Sequence, residues 1–148
     1  MAGVAYDSLP ITESAKSGYV SYTWTYETKD SDGDWDRDSS GSGTTEAIVN
    51  GTVKASNTKV FVGGKAVVVK GDQTDEHWVA GSMPTHGHGA SSPSASPGKS
   101  GSGSGTVSIG SSTVFIGGKA VAFDGADVKT TVGSTSKING GSTTVFVN

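Results

Sequence analysis

Two segments of this chain match each other in spacing residue for residue, and a third begins the same way. The first has Gly51-Thr52-Val53, then Ser56-Asn57-Thr58-Lys59-Val60-Phe61-Val62-Gly63-Gly64-Lys65, continuing through Ala66 to Asp72. The second has Gly105-Thr106-Val107, then Gly110-Ser111-Ser112-Thr113-Val114-Phe115-Ile116-Gly117-Gly118-Lys119, continuing through Ala120 to Gly125. The third has Ser136-Lys137-Ile138, then Gly141-Ser142-Thr143-Thr144-Val145-Phe146-Val147-Asn148, and stops where the others place Gly-Gly. It reads as a half repeat. Internal repetition fixes the architecture before any motif does, because one short unit cannot bury its apolar face alone.

Each full unit is a short apolar run, a Gly-Gly pair and a second apolar run. Two glycines tolerate the positive φ angles of a tight hairpin turn. No stretch spaces apolar residues at i, i+3, i+4 and i+7, and frequent glycine disfavours long helices. The chain is expected to be all-β, with short strands and tight turns.

Hydrophobic residues make up 32% of the sequence, against about 45–50% in an ordinary globular chain. Gly alone accounts for 23 of 148 residues, so a large conventional core is not expected. With 11 Lys+Arg against 14 Asp+Glu and no basic run, the footprint of a nucleic-acid binder is missing and no nucleic-acid partner is expected. The absence of Cys leaves no disulfide framework, thiolate ligand or Cys nucleophile. The first residues, MAGVAYDSLPITESAK, lack a basic segment leading into an apolar stretch, so no ordinary signal peptide is expected.

Residues 1–45 read as an N-terminal extension, and residues 46–148 as the repeat domain. Within the extension, Val20, Tyr22, Trp24 and Tyr26 alternate with Ser21, Thr23 and Thr25, the period of a strand with one large-residue face. This strand leads into Asp30, Asp32, Asp34, Asp36 and Asp38. The spacing has something of a calcium loop, but Gly33 is misplaced and no terminal Glu or flanking helices follow, so a solvated acidic turn is expected. Between the full repeats lies a Gly/Ser/Pro-rich insert, about 81–105, of linker composition. Three of the four prolines and two of the three histidines sit between Met83 and Pro97, which a plain spacer does not need, so something is expected to hold this loop in place.

The spacing G-S-x-x-V-F-I-x-G-K-x-x-x-x-x-G-D resembles the repeat of PAAR-domain proteins, the tips of contractile injection machines such as type VI secretion systems, contractile phage tails and extracellular injection particles. The resemblance covers roughly residues 45–148. Ala66-Val67-Val68-Val69 and Ala120-Val121-Ala122-Phe123 stand where the family has Pro-Ala-Ala-Arg, and Ala126 stands where the first unit has Asp72. The likeness is to a divergent, PAAR-like member. It implies a small conical fold of pseudo-threefold arrangement. It also implies a monomer docked on a trimeric β-helical spike, one tip per trimer, through the core and docking positions Val60, Phe61, Val62, Val114, Phe115, Ile116, Val145, Phe146 and Val147. Such a tip is assembled in the bacterial cytoplasm and acts outside the cell on a virion tail or particle, touching the target membrane transiently.

His77, His86 and His88 are all the histidines. Neutral imidazole is a common metal ligand, and His-x-His on an extended segment directs both rings to one side. The resemblance implies a metal near the apex, usually zinc, with iron as the alternative. The family's Cys ligand has no counterpart here, which leaves the fourth position to a carboxylate such as Asp75 or Glu76, to water or to nothing. The plainer reading puts His86 and His88 on a linker and His77 beside Trp78 at a strand end.

No G-x-S-x-G elbow, H-E-x-x-H or phosphate-binding loop is present, so no enzyme is expected. Lys65 and Lys119, repeated after each Gly-Gly pair, read as solubilising turn residues that discourage edge pairing. The alternative to a spike tip is a small carbohydrate-binding or adhesin module that stacks sugars on Tyr22, Trp24 and Tyr26.

Overall fold

The computed structural model describes residues 1–148 and consists of strands, turns and loops without a helix. The protein is all-β, as its repeats predict. Its contacts define two compact units. One comprises Met1–Ser14, Val49–Trp78 and Ser102–Asn148, the other Ala15–Ile48 and Val79–Gly101. This division departs from the expected boundary at residue 45, because the first fourteen residues cluster with the repeats and part of the insert clusters with the aromatic strand.

In the repeat unit, Phe61–Val62 pairs antiparallel with Lys65–Ala66, Phe61 opposite Ala66. Phe115–Ile116 and Lys119–Ala120 pair in the same register. Both turns need positive φ at both central residues: Gly63 and Gly64 have 58° and 81°, and Gly117 and Gly118 have 57° and 81°. Such turns follow the twist of the strands they join.

The half repeat is completed from the other end of the chain. Ala2–Gly3 pairs antiparallel with Phe146–Val147, Gly3 opposite Phe146, so Ala2 through Leu9 takes the part of Lys65 through Asp72 and of Lys119 through Ala126. The correspondence extends to the backbone: Ser8, the one non-glycine residue with positive φ (70°), stands where Gly71 (95°) and Gly125 (87°) stand.

Three such units close on each other. Ala5 N–H donates to Ala122 O at 3.0 Å, Ala122 N–H to Val68 O at 2.9 Å, and Val68 N–H to Ala5 O at 3.0 Å. A second cycle joins Asp7 N–H to Ala66 O, Lys70 N–H to Ala120 O and Asp124 N–H to Gly3 O, at 2.9, 2.7 and 2.8 Å. Alternation along each strand then separates two apolar layers. Val4, Val67 and Val121 pack with Val147, while Ala5, Val68 and Ala122 pack with residues that include Val53, Val107 and Ile138.

Beyond these layers the interior is largely polar, which accounts for the low apolar content. Thr74, Glu76, Thr130, Ser134 and Ser136 are buried. Thr74 Oγ1 donates to Glu76 and accepts from Gly105 N–H at 2.8 Å, and Thr131 N–H donates to Glu76 Oε1 at 2.7 Å. Asp72, in the position occupied by Ala126 and Leu9 in the other units, is also buried and accepts from Ser56 and from Val69 N–H. No buried side-chain nitrogen or oxygen lacks a partner. Each bond is worth only about 0.5–1.5 kcal/mol net, but leaving such a group unpaired would cost more.

In the other unit, the aromatic strand lies within Ser14–Lys29 and neighbours Trp35–Lys54 in the sheet. Val20, Tyr22 and Trp24 are buried while Ser21, Thr23 and Thr25 are exposed, as the period of two predicts. Their rings lie over glycine. A Cβ on Gly41 would stand 2.3 Å from the Trp24 ring, and one on Gly43 2.8 Å from the Tyr22 hydroxyl. The insert is a bound segment here and not a free linker. Ser94–Ser96 pairs with Ser21–Thr23, Tyr22 OH donates to Pro84 O at 3.1 Å, and Trp24 Nε1 donates to His86 O at 2.9 Å.

Gly41→Ala is expected to destabilise the protein by about 1–3 kcal/mol by displacing the Trp24 ring, whereas Ser21→Ala on the exposed face should stay within about 0.5 kcal/mol of wild type. Urea denaturation followed by tryptophan fluorescence measures both.

Candidate functional site

Each repeat presents its apolar run by the same local device. The Asn57 side-chain oxygen accepts from Lys59 and Val60 N–H at 2.9 and 3.1 Å. Ser111 Oγ accepts from Thr113 and Val114 N–H, both at 3.1 Å, and Ser142 Oγ from Thr144 and Val145 N–H at 3.1 and 2.9 Å. Asn and Ser both make such turns with backbone two and three residues on. Each hairpin is then closed from the opposite strand: Val67 N–H donates to Val60 O, Val121 to Val114 and Val4 to Val145, at 3.1, 3.0 and 2.9 Å. The recurrence of a hydroxyl or amide three residues before Val60, Val114 and Val145 was visible in the sequence, though its role was not.

The result is three equivalent Val-Phe pairs left in solvent. Phe61, Phe115 and Phe146 are 55%, 57% and 47% exposed, and Val60, Val114 and Val145 are exposed beside them. Val62 and Ile116 are half-buried, and Val147 is buried. An open cavity of about 210 Å³ is lined by all three exposed valines and, beneath them, by Val4, Val67 and Val121. Scattered exposed hydrophobics are ordinary, whereas these valines gather at one concavity. Of the nine positions singled out from the repeats, all but Phe61 and Phe115 line this cavity, and those two rings are exposed beside their valines.

The histidines do not converge. His77 is exposed on the strand Gln73–Ala80 of the repeat unit, whereas His86 and His88 belong to the other unit. Gly87 between them has φ 107°, so the segment is not the extended one that the His-x-His reading assumes. His86 lies edge-on to Trp24 at 5.1 Å, and His88 stacks on Trp35 at 3.6 Å. Asp75 pairs with Lys54 at 3.3 Å, and the carboxylate of Glu76 is taken up by Thr74 and Thr131. No three His, Asp or Glu side chains form a group able to hold a metal ion. As placed, these side chains do not assemble a zinc or iron site.

On the aromatic strand Tyr22 and Trp24 are each only 6% exposed, and Tyr26 is half-buried. The aspartate run forms a turn. Asp30 Oδ1 accepts from Asp32 and Asp34 N–H, both at 2.9 Å, and Gly33 turns with φ 84°. No protein-family model matches the chain, and no curated protein matches it.

The hydrogen bond from Asp34 N–H, supported by that from Asp32, holds the Asp30 carboxyl below its ordinary value of 3.8. A depressed folded-state value stabilises the turn above the unfolded value, and that contribution disappears as pH falls through the folded one. In a carboxyl NMR titration Asp30 should therefore titrate below 3.8. Titration at or above that value would contradict the turn geometry.

Proposed function

We propose that this protein is the structural tip of a trimeric spike in a contractile injection apparatus or phage tail. The observation that carries this reading is the ring of three equivalent Val-Phe pairs presented by one chain around one apolar cavity. A surface of threefold repeat made by a single chain complements the end of three identical chains, where each subunit meets one repeat. The spacing that resembles PAAR repeats points to the same partner, a trimeric β-helix with open strand edges at its end. The role is mechanical: the tip caps the spike and concentrates the force of contraction on a target membrane. The particle would be assembled in the bacterial cytoplasm and act outside the cell.

Closing the contact would bury what remains exposed of three phenylalanines. Burial of a whole Phe side chain is worth about 1.5–3 kcal/mol, so three half-exposed rings can anchor a complex without charged contacts. The test is to mix the chain with the trimeric β-helical spike protein encoded in the same genome and measure the mass of the complex by light scattering. One tip per three spike chains is expected. Phe61→Ala combined with Phe115→Ala should weaken the complex by about 2 kcal/mol or more while leaving the free chain folded. Absence of a complex, or a ratio of one tip to one spike chain, would overturn the reading.

A further inference from the structure

Beside the Val-Phe pairs the threefold arrangement generates a groove twice. In the first, Val62, Gly63 and Lys65 face Ser142, Thr143 and Thr144 across about 260 Å³. In the second, Ile116, Gly117 and Lys119 face Asn57, Thr58 and Lys59 across about 310 Å³. The two sets correspond position by position. At the third position the register of the terminal pairing places Ala2 where the lysines stand.

The charge in these grooves is of one sign. The chain carries more carboxylates than cations, yet no Asp or Glu lines either groove, whereas Lys65 lines the first and Lys59 and Lys119 the second. The four ion pairs of the protein involve none of these lysines. Lys65 Nζ lies 5.4 Å above the Tyr6 ring, a contact that leaves its ammonium free to take an anion. Solubility alone would be served by lysine anywhere on the turns. It does not account for the exclusion of carboxylates from both copies of a groove that adjoins the apolar surface.

We infer that Lys65 and Lys119 receive carboxylate side chains of the docking partner, an Asp or Glu that each spike subunit carries beside the surface meeting a Val-Phe pair. This inference rests on the spike-tip reading and adds the chemistry of the partner to it. Two of the three identical carboxylates are engaged by lysine, and the third meets the position of Ala2. Rim charges of this kind act mainly on association rate and partner choice, and screening weakens them at high salt.

The test uses the full chain with the trimeric β-helical spike protein of the same genome, comparing wild type, the double variant Lys65→Glu/Lys119→Glu and the double variant Phe61→Ala/Phe115→Ala. Charge reversal should weaken binding about tenfold or more at about 50 mM salt, with the deficit shrinking at about 500 mM. The Phe variants should lose affinity at both salt concentrations. A zero-length carbodiimide cross-linker should join Lys65 and Lys119 to spike Asp or Glu residues, identified by mass spectrometry. If the Phe variants lose binding while charge reversal changes it less than about threefold and no cross-link forms, the lysine inference fails and the docking reading stands. If no complex forms with wild type, both fail.

Discussion

The cycle of backbone hydrogen bonds through Ala5, Ala122 and Val68 is the constraint on which the repeat unit depends. A two-residue strand with one neighbour would be marginal in water. Here each of the three strands donates to one neighbour and accepts from the other, so no edge is left at the centre. Closure also sets the side-chain layers. Once Ala5, Val68 and Ala122 turn one way, Val4, Val67 and Val121 turn the other, and the second set floors the cavity beneath the Val-Phe pairs. The apolar cavity is thus a consequence of the ring.

Closure explains how a chain with few apolar residues holds together. Small cores seldom supply more than a few kcal/mol without a staple. In this chain non-local backbone pairing and buried hydroxyls and carboxylates that are all hydrogen-bonded add to the core. Glycine serves close approach as well as turns: Gly41 and Gly43 leave room for Trp24 and Tyr22, and Gly105 for Glu76.

Much of this was legible in the sequence. The repeat spacing located both Gly-Gly hairpins and the three exposed Val-Phe pairs, and alternation located the aromatic strand. The completion of the third repeat was missed because Ala2–Leu9 has neither the Gly-Gly pair nor the Lys that mark the others. A trace of it was there: Val4-Ala5-Tyr6-Asp7 parallels Val121-Ala122-Phe123-Asp124. The prolines and histidines of the insert hinted that something holds it, but composition cannot show that Pro84 and His86 supply carbonyls to Tyr22 and Trp24. The His-x-His reading assumed an extended segment, and the glycine at its centre adopts a positive φ that the pattern alone does not reveal.

The central claim is that the N-terminal segment is a full member of the ring, and native-state hydrogen exchange tests it most directly. Ala5, Val68 and Ala122 amides should be equally protected and exchange together in one cooperative opening. Rapid exchange at Ala5 with Val68 and Ala122 still protected would show a frayed terminus beside two repeats, and would contradict the threefold surface built on that ring.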